Sequence, residues 1–356
     1  MVLSNALVSG PSHAYLFHGP AGVGKRTVAR AFAAELLCDR AADPDDVRMR
    51  VSHGVHPDLT WVRPSGAHVM RVDDVDEPVV MAATRTPFEA SRRVFVLERV
   101  DTMNDEVANR LLKTLEEPAP FVHLILLTDA LGRVIETVVS RCQPVRFDPL
   151  PVARIAAQLS AERVPDERAR ACARLALGNA SRARYLASPE GEEVRAEVEA
   201  FVAAALGGDG GEPWRPLLQR AEARREAEEE RLALEARERL ELEPKGRERR
   251  AIERELEEAA KRDGRRARTE SLDLALVLAG LTFRDLVCVA EGASEAVLAE
   301  DRTPALADRA RSRDPRKLRE AAERCEDLRQ ALELNVSEDL ALSALGFRLS
   351  ALVGTG

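Results

Sequence analysis

The stretch GPAGVGKRT, Gly19–Thr27, follows a short apolar run and precedes a segment whose apolar residues recur at helical spacing. It matches the phosphate-loop pattern G-x-x-x-x-G-K-[ST] at Gly19, Gly24 and Lys25. It departs from the pattern at Arg26, where a hydroxyl that ligates Mg²⁺ is expected. The order strand, glycine loop, helix is the context that such a loop requires. The stretch therefore predicts an α/β domain of the phosphate-loop class.

The chemistry of the loop divides into phosphate binding and metal binding. Glycines let backbone N–H groups turn toward a phosphate, and the helix that follows adds its positive end. The predicted nucleotide site comprises Gly19, Gly22, Gly24, Lys25 and Thr27. Arg26 cannot ligate Mg²⁺ and brings positive charge toward the metal position. Thr27 does not replace the missing hydroxyl, because one residue along a helix turns the side chain by about 100°.

A second acidic site is expected after the apolar run RVFVL, Arg93–Leu97. Active nucleotide hydrolases of this class place a metal-binding Asp and a water-activating Glu there, whereas this chain has Glu98 and Arg99. Glu98 substitutes for Asp with a longer reach, but Arg99 cannot accept a proton. Both departures predict that the fold is kept and ATP hydrolysis is lost.

The first 150 residues alternate short apolar runs with helical patterns, which indicates a doubly wound parallel sheet. The predicted strands are His13–His18, Leu59–Val62, Arg93–Leu97 and Val122–Leu127, and the predicted helices include Thr27–Leu37 and Glu106–Leu115. The strand signals stop after Asp148-Pro149-Leu150-Pro151, and the remaining pattern is helical almost throughout.

This pattern predicts three domains: an α/β domain over 1–149, a small helical lid over 150–195 and an all-helical domain over 196–356. The glycine-rich Gly207–Gly211 is either a further boundary or an interhelix loop. Residues 220–268 carry 16 Lys/Arg and 15 Asp/Glu among 49 positions. Interrupted by Pro244-Lys245-Gly246, this segment predicts a solvated helical hairpin that serves as a spacer or as a docking arm.

The bulk composition restricts the class of protein. The formal net charge of −8 gives no global attraction to nucleic acid or anionic membranes, so any DNA contact has to be local. The five cysteines are scattered singly, which is typical of a reduced cytoplasmic protein. Neither a signal peptide nor an apolar run of about 18 residues is present, so we expect no membrane association.

Three stretches together carry a family resemblance: SHAYLFHGPAGVGK (Ser12–Lys25), VDTMNDEVANRLLKTLEEPAP (Val100–Pro120) and SRCQPVRF (Ser140–Phe147). In this order and spacing, the chain resembles the delta-prime subunits of the bacterial DNA polymerase III clamp loader, members of the AAA+ superfamily. The resemblance covers about residues 1–195. It returns in LELNVSEDLALSALGFRLSAL (Leu332–Leu352), which is similar to the last helices of the family's collar domain.

The resemblance implies a ring of subunits that loads a sliding clamp onto primed DNA as part of the polymerase holoenzyme. The implied partners are tau/gamma and delta subunits, and through the complex the clamp and primed DNA. The family implies a largely static subunit without ATPase activity of its own. It also implies that Arg141, in the Ser-Arg-Cys triplet, is an arginine finger for the ATP site of a neighbouring motor subunit. We expect the triplet to lie just after the fourth strand; a surface salt bridge is the alternative role for Arg141.

Two further features follow from the resemblance. Gly178–Ala183 is similar to the lid motif that carries the second sensor arginine, here Arg182; a plain helix-start arginine is the alternative. Relatives often hold zinc with four cysteines, whereas this chain offers only Cys38, with His53 and His56 nearby. We therefore expect no zinc and no required cofactor. Binding of ATP or ADP through the loop backbone and Lys25 stays an alternative, although the departures at the loop count against it.

Two other functions remain as alternatives. A tau/gamma-like ATPase motor shares the helix and triplet motifs but should have Ser or Thr at position 26 and Asp-Glu at positions 98 and 99. An interaction scaffold outside replication is the second alternative. Only the motor requires ATP turnover by the isolated chain.

Overall fold

The computed structural model describes residues 2–65, 69–208, 211–241, 247–332 and 336–354. These residues form two compact units, Met1–Leu150 and Pro151–Gly356. The predicted hairpin break at Pro244-Lys245-Gly246 lies outside the described residues, as do parts of Gly207–Gly211 and Leu332–Leu352. The subdivision of the second unit at residue 195 stays a prediction.

The first unit is a three-layer α/β domain. Its strands are β1 (Ala14–His18), β2 (Leu59–Val62), β3 (Arg93–Leu97), β4 (Val122–Thr128) and β5 (Gln143–Arg146). Its helices are α1 (Val2–Ser9), α2 (Lys25–Leu37), α3 (Pro44–Ser52), α4 (Asp105–Glu116) and α5 (Glu136–Val139), with short 3₁₀ and π turns between them. The four predicted strands are observed within one residue of their predicted ends.

All five strands are parallel, in the order β2-β3-β4-β1-β5. The strands are apolar on both faces because helices cover both faces of the sheet. Phe17 and Ile125 pack with Phe32 of α2 on one face, whereas Leu124 packs with Leu111 of α4 on the other. The sheet thus brings the carboxyl ends of β1, β3 and β4 to one edge, where the glycine loop begins.

The fifth strand was not predicted from the sequence. Gln143–Arg146 contains Pro144 and pairs only with β1, at the sheet edge. A proline is tolerated at an edge because the missing N–H removes no central ladder bond. The expectation that Ser140–Cys142 directly follows the fourth strand was wrong: a 3₁₀ turn and α5 intervene, and the triplet immediately precedes β5.

The described part of the second unit is helical throughout. Its helices are α6 (Val152–Ala161), α7 (Asp166–Leu175), α8 (Ala180–Ala187), α9 (Pro189–Gly207), α10 (Arg215–Glu241), α11 (Arg247–Ala290), α12 (Thr303–Ala310), α13 (Pro315–Leu332) and α14 (Glu338–Val353). The fold class predicted from the sequence, a parallel α/β domain followed by helical regions, is therefore confirmed.

The described parts of the charged segment, 220–241 and 247–268, lie on α10 and α11, which pack against each other. Arg268 of α11 pairs with Glu222 of α10 and, at 2.5 Å, with Glu338 of α14. Arg220 pairs with Glu197 of α9 at 2.6 Å. The base of the two helices is therefore anchored to the rest of the second unit. Farther along α10, ion pairs such as Arg231 with Glu228 and Glu235 lie within one helix.

The last helix of the second unit, α14, buries an apolar face against α9 and α13. On α14, the buried residues are Leu342, Leu345, Gly346, Leu349 and Val353. The ring of Trp214 packs edge-on against Phe347, with the ring centroids 5.1 Å apart. Gly346 is required there because a Cβ would overlap the Trp214 ring.

Candidate functional site

The glycine loop has the backbone geometry that its sequence predicts. Gly19, Gly22 and Gly24 have φ values of 145°, 74° and 95°, all in the region that L side chains avoid. A Cβ at Gly19 would also overlap the carbonyl oxygen of Phe147. Gly24 precedes α2, and no side chain caps that helix end. The loop can therefore present backbone N–H groups and a helix N-terminus to an anion.

Lys25 is buried and is turned toward its own loop rather than toward solvent. Its Nζ donates to the carbonyl oxygens of Gly19 and Pro20, the latter at 2.6 Å, and pairs with Asp129 Oδ1 at 2.6 Å. An ammonium group has three donors, and these contacts use all three. A phosphate at this loop would have to displace Asp129 to recruit the lysine charge.

Arg26 and Glu98 form an ion pair with each other. In an active nucleotide hydrolase of this class, both positions supply magnesium ligands: position 26 ends the phosphate-loop pattern, and position 98 follows β3. The Glu98 side chain is only 2% exposed, and its Oε1 also accepts a hydrogen bond from Trp61 Nε1 at 2.7 Å. Arg63 Nε lies 3.4 Å from the same oxygen. A guanidinium thus provides the positive charge that neutralises this buried carboxylate.

Arg99 occupies the position of the expected general base. Its backbone is left-handed, with φ of 53°, and its carbonyl accepts a hydrogen bond from Thr102 Oγ1 at 2.7 Å. A guanidinium cannot accept a proton at neutral pH. Together with the Arg26–Glu98 pair, this means that the residues at this site do not fit a magnesium ion and an activated water.

Thr27 lies one residue beyond the magnesium position and is exposed. It lines an open cavity of about 560 Å³ between α2 and α3, together with Arg30, Arg48 and Ser52. Arg48 is held by Glu35 at 2.8 Å, and Arg30 lies over the Trp61 ring. Arg26 lines the same cavity, so Thr27 lies next to the loop on the part of α2 that also carries Arg26.

Arg141 lies in the turn between α5 and β5 and its side chain is 34% exposed. Its Nη1 donates to the Thr137 carbonyl oxygen at 2.9 Å and contacts Ser140 Oγ at 3.2 Å. Its Nη2 pairs with Glu116 Oε1, at the end of α4, at 2.5 Å. The guanidinium is thus held at the surface by a turn and by one helix end.

Arg182 belongs to the second unit, on α8. The side chain of Asn179 accepts a hydrogen bond from the Arg182 N–H at 2.8 Å and so begins the helix. Burial lowers the pKa of Arg182, whereas the charge of Asp273 opposes that effect. The structure therefore describes a half-buried arginine near the Asp273 carboxylate, and its role as a sensor stays a prediction.

The residues considered for zinc have other partners. Cys38 Sγ contacts the Pro44 carbonyl at 3.4 Å, His53 Nδ1 contacts the Met49 carbonyl at 2.8 Å, and His56 Nε2 lies 3.2 Å from Glu89. Within the described ranges, no three His, Cys, Asp or Glu side chains group together as metal ligands would. The absence of zinc remains a prediction.

Three partners of the site were missed from the sequence: Asp129, Trp61 and Glu116. Asp129 directly follows β4, so the rule that parallel strands end at one edge could have placed it beside Lys25. Trp61 lies on β2, beside β3, and its indole needs an acceptor when half-buried. For Glu116, which ends α4, no signal in the sequence indicates the contact with Arg141.

Comparison with known proteins agrees with the motifs at this site. Residues 2–151 match the family described as DNA polymerase III, delta subunit. The chain is 38% identical over 166 residues to the DNA polymerase III subunit delta-prime of Pseudomonas aeruginosa, which covers 45% of this chain and 50% of that protein. The N-terminal region of this chain is delta-prime-like.

Other relatives extend the comparison within the same group of subunits. The delta-prime subunit of Bacillus subtilis is 32% identical over 191 residues, covering 52% of this chain and 57% of that protein. The Escherichia coli subunit tau is 34% identical over 165 residues, covering 44% and 25% of the two chains. The chain thus spans about half the length of the curated delta-prime relatives that it matches.

A DNA polymerase III gamma subunit-related protein from Thermotoga maritima aligns over 99% of both chains, with 12% identity and a TM-score of 0.48.

Among the residues that the structure describes, no helix is both long enough and apolar enough to span a bilayer.

Proposed function

We propose that this chain is the static, delta-prime-type subunit of a bacterial DNA polymerase III clamp loader. In this role it does not hydrolyse ATP. It supplies Arg141 to the ATP site of a neighbouring tau/gamma-type motor subunit, and the complex loads a sliding clamp onto primed DNA. The observation that carries the proposal is the ion pair between Arg26 and Glu98, because it occupies both metal-ligand positions of the chain's own site.

The charges of the loop support the first half of the proposal. Lys25 is paired with Asp129, and Arg26 is paired with a buried Glu98, so both cations next to the loop are already neutralised. A nucleotide and its metal would have to break two ion pairs to recruit the Lys25 charge and the Glu98 carboxylate, and no carboxylate stands at the base position, which Arg99 occupies. Arg26→Thr alone should therefore not restore hydrolysis, because Arg99 still cannot activate water.

The position of Arg141 supports the second half. An arginine finger must be exposed, must be held by a rigid element and must keep donors for a phosphate on another chain. Arg141 meets the first two conditions at the turn before β5. For the third condition, its contacts with Thr137, Ser140 and Glu116 use three of the five N–H donors of the guanidinium. The sequence matches to gamma and tau subunits are consistent with partners of the same fold family.

The motor alternative requires features that this chain lacks. The loop has Arg26 in place of Ser or Thr, and β3 is followed by Glu98-Arg99 in place of Asp-Glu. The scaffold alternative predicts no replication partners. A pull-down with tau/gamma and delta subunits separates it from the proposed function.

The test is a reconstituted complex in which the other motor sites carry inactivating substitutions, so that only the site completed by this chain turns over. Arg141→Ala should lower stimulated ATP turnover at that site by about 10³-fold or more, because the transition state loses its cation. Arg141→Lys should restore little of that loss, since a flexible point charge does not reproduce a planar fork.

Arg146→Ala is the matched control, because Arg146 is an exposed arginine in the same segment and pairs with Asp148 at 2.7 Å. It should assemble and turn over like the unaltered protein. Equal turnover of the Arg141→Ala complex, with assembly intact by size-exclusion chromatography, would contradict the proposed function.

A further inference from the structure

Two motifs that are separate in the sequence meet at a single contact. Glu116 is the last residue of α4 and belongs to the stretch LLKTLEEP, whereas Arg141 belongs to the Ser-Arg-Cys triplet. The structure places Glu116 Oε1 2.5 Å from Arg141 Nη2. Of the two adjacent glutamates in the motif, Glu116 makes this ion pair; the contacts described for the chain include none between Glu117 and Arg141.

The contacts of Arg141 come from two different elements. Thr137 and Ser140, which hold Nη1, belong to the same short helix and turn as Arg141 itself. Glu116, which holds Nη2, is the contact from a separate helix packed against the sheet. A planar guanidinium held only at Nη1 can still rotate about that nitrogen, whereas a second contact at Nη2 fixes the plane.

We propose that Glu116 is a positioning residue for Arg141: it fixes the guanidinium in the orientation from which the remaining donors reach a phosphate on the neighbouring subunit. This inference rests on the proposed function of Arg141 as a finger. The pair is half-exposed on both sides, so it contributes little to folding stability. Its effect is expected in catalysis, where a misplacement of about 1 Å can cost up to about 10²-fold in rate.

The experiment uses the same reconstituted complex with one open motor site and compares Glu116→Gln with Glu117→Gln. Both substitutions remove one exposed negative charge from the end of α4, but only the first alters the Arg141 contact. Glu116→Gln should lower kcat at that site about 10-fold with little change in KM for ATP, because the lost interaction acts in the transition state. Glu117→Gln should equal the unaltered complex, and Glu116→Asp should be intermediate.

A second comparison separates positioning from a merely structural role. In the Arg141→Ala background, Glu116→Gln should have no further effect on turnover, because the residue that it positions is gone. The melting temperature of each single variant should stay close to that of the unaltered chain.

The outcomes are distinguishable. If Arg141→Ala lowers turnover but Glu116→Gln behaves like Glu117→Gln, the positioning role is overturned and the proposed function stands. Faster turnover after Glu116→Gln would also overturn it, since the carboxylate would then restrain the finger. If Arg141→Ala itself has no effect, both the finger and the positioning role are overturned.

Discussion

The start of α2 and the turn before β5 each contain an arginine paired with a glutamate, but the two pairs differ in the burial of the carboxylate. The carboxylate that holds Arg26 is 2% exposed, whereas the carboxylate that holds Arg141 is 48% exposed. A buried carboxylate needs its cation, because an uncompensated charge in the interior is costly. An exposed pair contributes little to stability, and the remaining donors of its arginine stay accessible to a phosphate. Arg26, itself 56% exposed, is therefore required to neutralise a buried carboxylate, whereas Arg141 has no such structural requirement.

The proposed function requires that one subunit lose its own catalysis and still serve a neighbour, and this contrast is compatible with both requirements. The Arg26–Glu98 pair connects the start of α2 to the end of β3, a position where a nucleotide hydrolase needs a metal. The turn that carries Arg141 is built on separate elements, α5 and β5. Substitutions that remove the metal-binding residues near the loop therefore need not disturb this turn.

The largest expected effect on stability comes from Gly19. Gly19→Ala should lower the free energy of unfolding by about 3–4 kcal/mol, because the new Cβ overlaps the Phe147 carbonyl in a left-handed backbone. Gly24→Ala is the matched control: its φ is also positive, but nothing lies within 4 Å of its Cβ, so about 1–2 kcal/mol is expected. Urea unfolding of both variants is the measurement, and equal losses would mean that the loop is not closed against Phe147.

His123 makes the free energy of unfolding depend on pH, so the stabilities of variants of the two arginine pairs should be compared at a pH above its titration range. Burial lowers its pKa from 6.5 to about 4, and its Nδ1 lies 2.9 Å from the Ser12 carbonyl oxygen. The unfolded chain binds this proton more readily, so stability is full above about pH 6.5 and falls as the pH approaches 4. The difference between the two pKa values corresponds to a loss of about 3 kcal/mol in the free energy of unfolding.

His123→Asn keeps a donor for Ser12 but does not titrate. Melting temperatures between pH 7 and pH 4.5 should therefore fall less steeply for this variant than for the unaltered chain. Parallel curves for the two proteins would show that His123 is not the group that titrates.

Breaking the pair that neutralises the buried Glu98 carboxylate should cost more than breaking a pair in which both side chains are exposed. Arg26→Met should lower the free energy of unfolding by about 2 kcal/mol: Glu98 loses a charge partner but keeps Trp61 and Arg63. Arg48→Met removes an exposed pair with Glu35 and should cost less than about 1 kcal/mol. Chemical denaturation checks both variants, and a smaller loss for Arg26→Met would indicate that the pair is not needed to neutralise Glu98.

The smallest effect is expected from the charged hairpin. Replacing residues 231–262 with a short Gly-Ser linker keeps the anchors at Arg220, Glu222 and Arg268, so the free energy of unfolding should change by less than about 1 kcal/mol. Complex assembly by size-exclusion chromatography should also be unchanged if this segment is a spacer. Loss of the complex would instead make it a docking arm.

The sequence predicted the parts of the fold that depend on local pattern. Continuous apolar runs predicted four strands. The glycines of the loop predicted a backbone conformation with positive φ, which only glycine adopts readily. The edge strand at Gln143–Arg146 was missed because it is short, polar and contains Pro144. The misplacement of Ser140–Cys142 followed from that omission, since α5 and β5 were not recognised around it.

The site was predicted as residue types but not as contacts. The departures at Arg26 and Arg99 were evident from the motif, and so was the candidate finger Arg141. That Arg26 pairs with Glu98, and Arg141 with Glu116, depends on strand order and helix packing, which bring distant positions together. The partners in each pair are far apart along the chain, so no local spacing in a single sequence indicates that they meet.

The most direct test of the account compares two variants in the complex with one open motor site. Lys25→Met disables the phosphate lysine of the chain's own loop, whereas Arg141→Ala removes the finger; thermal unfolding confirms that both fold. The account predicts that ATP turnover is unchanged by Lys25→Met and falls by about 10³-fold with Arg141→Ala. Turnover that falls with Lys25→Met and persists with Arg141→Ala would contradict it, because the chain would then act as a motor.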